Sequence, residues 1–126
     1  MTTVLDTSAL VCFLQDEPGN DRVEAVLQEA VISSVNWAEV VQKSIAAWVD
    51  IDGMREEIEA LGLAIVPFTA EEADIAGRLW QQTRQQGLSL GDRACLSLGI
   101  RLNAPVLTAD QIWSALNLPN TTHIVR

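Results

Sequence analysis

Histidine occurs once in this 126-residue chain, as His123, and cysteine only twice, as Cys12 and Cys95. A single histidine near the C-terminus argues against a zinc site of the His/Cys kind. The same shortage argues against Ser-His-Asp or Cys-His catalysis. Neither cysteine belongs to a C-x-x-C pair and both lie in apolar stretches, so buried, reduced thiols are expected. No apolar run approaches the roughly 18–20 residues that a membrane span requires. The start, Met1-Thr2-Thr3-Val4-Leu5-Asp6, lacks the basic and then long apolar stretch of a secretory signal. A cytoplasmic protein with no membrane partner is the expectation. Positive charge is scarce as well, with 8 Lys and Arg against 17 Asp and Glu, a net charge of −9. That is the wrong sign for a simple nucleic-acid binder. Either nucleic acid is not bound, or the acids gather where a divalent cation reverses the local sign.

Hydrophobic residues make up 48% of the chain and charged residues 20%, the balance of an ordinary globular protein. Its length fits one domain, residues 1–126, with one sizeable core. Short β-like runs alternate with longer helical ones. Strands are expected at Thr2–Asp6, Val31–Ser34, Ala64–Phe68, Val106–Ala109 and, as an edge, Thr122–Val125. Helices are expected at Ser8–Gln15, Asp21–Glu29, after a cap at Asn36, at Gly53–Leu61, from Thr69 to about Gln86, at Ser89–Leu102 and at Asp110–Leu116. Trp37, Val40, Val41, Ile45 and Trp48 mark an apolar stripe on the third of these helices. Alternating strands and helices predict an α/β sandwich around a mostly parallel sheet, covered on both faces.

Four acids stand out by position. Asp6 and Asp110 each follow an apolar strand, and the carboxyl ends of strands in an open parallel sheet form the ligand-binding crevice. Each also has a local explanation as a helix cap. Glu39 can reach back to Asn36 as in a capping box, or pair with Lys43 one turn on. Asp92 follows Ser89 at capping-box spacing, yet shares a helix face with Cys95, Leu96 and Gly99. A carboxylate on an inward face is costly unless paired or bound to metal. Converging carboxylates would suit a hard cation such as Mg²⁺ or Mn²⁺, which can activate water and neutralise a phosphodiester. Ser8, Thr7 and Thr108 offer hydroxyls to support them. Arg93, Arg84, Arg78 and Lys43 are available to phosphates or simply to solvent. Trp37, Trp48, Trp80 and Trp113 are read as core in preference to base-stacking platforms.

Taken together, Val4-Leu5-Asp6-Thr7-Ser8, Asn36-Trp37-Ala38-Glu39-Val40-Val41, Ser89-Leu90-Gly91-Asp92-Arg93-Ala94-Cys95-Leu96 and Val106-Leu107-Thr108-Ala109-Asp110 resemble the motifs of PIN-domain nucleases. More closely, they resemble the VapC-type toxins of type II toxin–antitoxin pairs. The resemblance spans the chain from Val4 to Ile124-Val125-Arg126. It implies a three-layer α/β/α fold with strand order 3-2-1-4-5. It also implies a Mg²⁺ or Mn²⁺ site of Asp6, Glu39, Asp92 and Asp110, supported by Ser8 and Thr108. The activity implied is endonucleolytic cleavage of RNA, often tRNA or rRNA. The partners implied are a cognate antitoxin and a second copy of the chain. Gln111 departs from the basic residue that close relatives often carry after the last Asp.

Two non-enzymatic alternatives stand beside this reading. A receiver-like regulatory module has similar length and class, but wants paired acids after the first strand and a late Lys; here Thr7 follows Asp6 and Lys43 is the only lysine. A catalytically silent PIN-like binding module is the other. A haloacid-dehalogenase-like phosphatase would need an Asp where Ser8 stands.

Overall fold

The computed structural model describes residues 1–111, residue 113 and the strand 122–124, the last by its backbone. Its elements are β1 (Thr3–Leu5), α1 (Thr7–Leu14), α2 (Asn20–Val26), β2 (Ala30–Ser33), α3 (Ser34–Ala46), α4 (Met54–Ala60), β3 (Ala64–Val66), α5 (Ala70–Thr83), α6 (Leu90–Leu102), β4 (Val106–Thr108) and β5 (Thr122–Ile124). One-turn 3-10 segments, Leu27–Glu29 and Arg84–Gln86, finish α2 and α5. The helix expected at Asp110–Leu116 falls largely outside the described residues.

Five parallel strands form one sheet in the order β3-β2-β1-β4-β5, as the resemblance implied. A receiver domain would run 2-1-3-4-5, so that alternative is excluded. Side chains alternate across a strand, and the core divides accordingly. Leu5, Ile32 and Leu107 join Leu10, Val23, Leu27, Val40, Ile58 and Leu63 on the face covered by α1, α2, α3 and α4. Val4 and Val106 join Leu79, Leu88, Cys95, Leu96, Leu98 and Trp113 on the face covered by α5 and α6. The two apolar faces explain why β1 to β4 each run two or three apolar residues together instead of alternating them with polar ones. Among the described residues, no helix is long and apolar enough to cross a membrane.

Three expectations need correction. The cap of α3 is Ser33, whose hydroxyl accepts from the Val35 amide. Asn36 therefore lies inside the helix, where it is buried. The apolar stripe of α3 does not run to its end: Val40 is buried, but Ile45 is 55% and Trp48 96% exposed. The helix stops at Ala46, and Trp48 takes a left-handed conformation, φ 62°, that turns it off the stripe. Of the four tryptophans only Trp113 is fully in the core, and Trp80 is half exposed.

Candidate metal centre

The site lies where the chain's crossovers change direction, between the central strands β1 and β4. Asp6 follows β1 directly and is 3% exposed. Its Oδ1 accepts from the Ala9 amide at 2.8 Å, so Asp6 does cap α1. It also does more. Ser8 Oγ donates to both carboxylate oxygens at 2.8 and 3.0 Å, and Thr108 Oγ1 donates to Oδ2 at 2.5 Å. The Ala109 amide donates to Ser8 Oγ at 2.9 Å, and the Asp110 amide to Thr108 Oγ1 at 3.0 Å. This hydroxyl network stitches the end of β1 to the end of β4. Ser8 and Thr108 thus both donate to the Asp6 carboxylate.

Asp92 sits in the first turn of α6, half-buried. Its capping box with Ser89 is complete: the Asp92 amide donates to Ser89 Oγ at 3.1 Å and the Ser89 amide to Asp92 Oδ2 at 2.9 Å. Glu39 takes neither local alternative alone. Instead of reaching along α3 to Lys43, its Oε1 accepts from Thr7 Oγ1 at 2.5 Å and Asn36 Nδ2 at 3.2 Å. Asn36 Nδ2 also lies within bonding range of Thr7 Oγ1, at 3.2 Å, and of the Gly91 carbonyl, at 3.0 Å. One buried amide therefore links α1, α3 and α6. Asp110 is exposed, just past β4.

The acids feel one another. Burial raises the Asp6 carboxyl from 3.8 to about 6, against the pull of its hydrogen bonds, with repulsion from Asp92 adding to the rise. Asp92 is also raised, chiefly by burial, with Asp110 and Glu39 repelling its charge while Ser89 opposes the shift. Burial pushes the Cys95 thiol well up, and Asp6, Asp92 and Glu39 push it further. Cys12 and Cys95 are both buried thiols outside any disulfide, as expected, and a raised thiol pKa makes Cys95 a poor nucleophile. The four sequence-predicted acids therefore share one acidic neighbourhood.

That neighbourhood is not a closed cage. Among the described residues, no group of three or more His, Cys, Asp or Glu side chains is drawn together tightly enough to hold one ion. The donor chemistry nonetheless suits a hard cation, being carboxylates backed by hydroxyls, with neither thiolate nor imidazole among them. The ion pairs Met1–Glu29, Arg55–Glu59 and Arg101–Glu72 do not involve Asp6, Glu39 or Asp92. Nor does Arg93 face this pocket as a free cation: its Nη1 donates to the Ala76 carbonyl at 2.8 Å, fastening α6 to α5. Arg84 lies 5.3 Å over the Trp80 ring. Nothing in the sequence pattern marks Asn36 or Gly91 as a site residue. Asn36 matched a helix-cap pattern, and Gly91 carries no side chain to attract attention.

Solved structures similar to this chain match it at low identity and support the fold alone. The FitAcB structure from Neisseria gonorrhoeae is 20% identical, with TM-score 0.71, over 98% of this chain and 97% of that one. VapBC2 from Rickettsia felis, bound to a DNA fragment from its promoter, is 21% identical, with TM-score 0.68, over 97% and 96%. Mycobacterium tuberculosis VapC20, described as a toxin cleaving the sarcin-ricin loop, is 13% identical, with TM-score 0.72, over 90% and 93%. No curated protein matches the chain in sequence. The family model described as PIN domain matches residues 3–117, a span that takes in all four acids. By that match, carried on the strand order its motifs implied, the chain belongs to the PIN domain family.

Proposed function

We propose that this protein is a metal-dependent endoribonuclease, the toxin of a toxin–antitoxin pair, acting in the cytoplasm. The observation that carries the reading is the buried Asp6, held by Ser8 and Thr108 and repelled by Asp92, in a family of PIN domains. Asp6, Glu39, Asp92 and Asp110 would hold Mg²⁺ or Mn²⁺. When bound, the ion supplies charge neutralisation at the phosphodiester and activation of the attacking water. The chain's own residues do the positioning. Ser8 and Thr108 fix the orientation of the Asp6 carboxylate, Thr7 and Asn36 fix that of Glu39, and the capping box fixes that of Asp92. A cation opposite these acids also removes the charge objection to an RNA substrate, tRNA or rRNA being the expected class.

A protein partner is supported by the surface. Leu14, Ile45, Trp48 and Val49 are exposed, and Leu14 and Val49 border one groove of about 380 Å³ with Val11, Met54 and the acids Asp50 and Glu57. Exposed apolar patches of this kind mark interaction sites. Several structural relatives are described as toxin–antitoxin assemblies, which makes an antitoxin the partner of choice, with a second copy of the chain as the other.

The open spacing of the acids favours one second reading, a PIN module that binds RNA or protein without cleaving. One experiment separates the two. Purified protein, freed of any co-purifying antitoxin, is incubated with total cellular RNA in Mg²⁺, in Mn²⁺ and in EDTA, beside Asp92→Asn. Discrete fragments that require metal and vanish in the variant are expected. Equal cleavage by Asp92→Asn, or none by the wild type in either metal, would overturn the proposal.

A further inference from the structure

We propose that Gly91 is a positioning residue: its lack of a side chain is what admits the Glu39 carboxylate against the first turn of α6, beside Asp92. The inference rests on the reading of Glu39 as a metal ligand. A Cβ built on Gly91 would lie 2.5 Å from both Glu39 Oε1 and Oε2 and 2.7 Å from Cδ. No real Cβ tolerates such contacts, and ordinary separation would demand a retreat of roughly 1 Å. Retreat would draw the Glu39 carboxylate away from the groups that hold it. Thr7 Oγ1 holds its Oε1 at 2.5 Å and Asn36 Nδ2 at 3.2 Å, while the same Asn36 amide lies 3.0 Å from the Gly91 carbonyl. Asn36 is 1% exposed, so this clamp lies inside the packed junction of α1, α3 and α6.

Helix propensity does not explain the glycine, since glycine weakens a helix relative to alanine. Backbone conformation does not explain it either, because Gly91 is not among the residues with positive φ. What remains is space. The colliding atoms are the far end of a flexible side chain, so an added methyl should displace the carboxylate and spare the fold.

The test uses the full chain with Mn²⁺ as the probe. Gly91→Ala, Glu39→Ala and the double variant are compared by calorimetric Mn²⁺ titration and by thermal unfolding in EDTA. Gly77→Ala on α5 is the control, because a Cβ there meets nothing within 4 Å. Gly91→Ala is expected to melt no lower than the wild type yet to bind Mn²⁺ roughly tenfold more weakly. In the Glu39→Ala background the same change should add nothing, since both act through one carboxylate. Wild-type Mn²⁺ affinity in Gly91→Ala, with Glu39→Ala still weakened, overturns the role of Gly91 and leaves the metal site standing. An equal loss in both backgrounds also overturns it. Unchanged affinity in Glu39→Ala, or no Mn²⁺ binding by the wild type, overturns the metal reading of Glu39 and this proposal with it.

Discussion

Free of divalent cations, the protein should carry a measurable electrostatic strain at Asp6, and Asp6→Asn should relieve it. The folded state holds the Asp6 proton more tightly than the unfolded chain does, with a pKa of about 6 against 3.8. Between those values the unfolded state binds fewer protons, so stability falls as pH rises through the window, and the loss is complete above it. At 1.36 kcal/mol per pH unit the cost approaches roughly 3 kcal/mol at pH 8, about half of that at pH 5, and little near pH 4. Asparagine keeps an oxygen for the Ala9 amide, and it caps helices as well as aspartate does. Ser8 and Thr108 can turn their hydroxyls to accept from the new amide. The assay is urea unfolding of both proteins in EDTA at pH 5 and pH 8. The variant is expected to be more stable at pH 8 by about 1–3 kcal/mol, with a smaller gain at pH 5. Adding Mn²⁺ should then stabilise the wild type and not the variant, because a ligand stabilises only the form it binds. A variant less stable than the wild type at pH 8, or a gain independent of pH, would refute the argument.

The remaining predictions concern packing. Glu72 is fully buried in α5 and rests on Thr69 Oγ1 at 3.0 Å and Arg101 Nε at 2.9 Å. Arg101→Ala should cost about 3 kcal/mol in urea unfolding, because it strands a buried carboxylate, and adding Glu72→Gln should recover part of that loss. A cost below about 0.5 kcal/mol, the range of ordinary surface changes, would show that the pair is dispensable. Gly62 has φ 110°, and a Cβ there would stand 2.6 Å from the Gln28 backbone, whereas at Gly53, φ 79°, it would meet only the tip of Glu57 at 3.9 Å. Gly53→Ala should therefore cost about 1 kcal/mol of conformational strain, and Gly62→Ala about 3 kcal/mol by adding overpacking. Equal melting temperatures for the two variants would contradict that separation.

The sequence by itself determined what short-range chemistry controls. Ser89 with Asp92 and Thr69 with Glu72 announced helix starts three residues apart, and Gly87 announced a stop in the left-handed conformation it adopts. Apolar runs beside longer periodic segments gave parallel strands between helices, and four acids in family order gave the candidate site. Capping does not exhaust Asp6 or Asp92, since in each a single carboxylate oxygen takes the capping bond. Only the tertiary structure decided which groups meet. Thr108 reaches Asp6 across 102 positions, Glu39 reaches Thr7 across 32, and Gly91 serves Glu39 by an absence visible only once α3 and α6 are packed together. The same packing exposed Trp48 and Trp80 and committed Arg93 to Ala76. Periodicity specifies the face a residue occupies on its own helix; where that helix ends and what lies opposite are set by packing against distant chain.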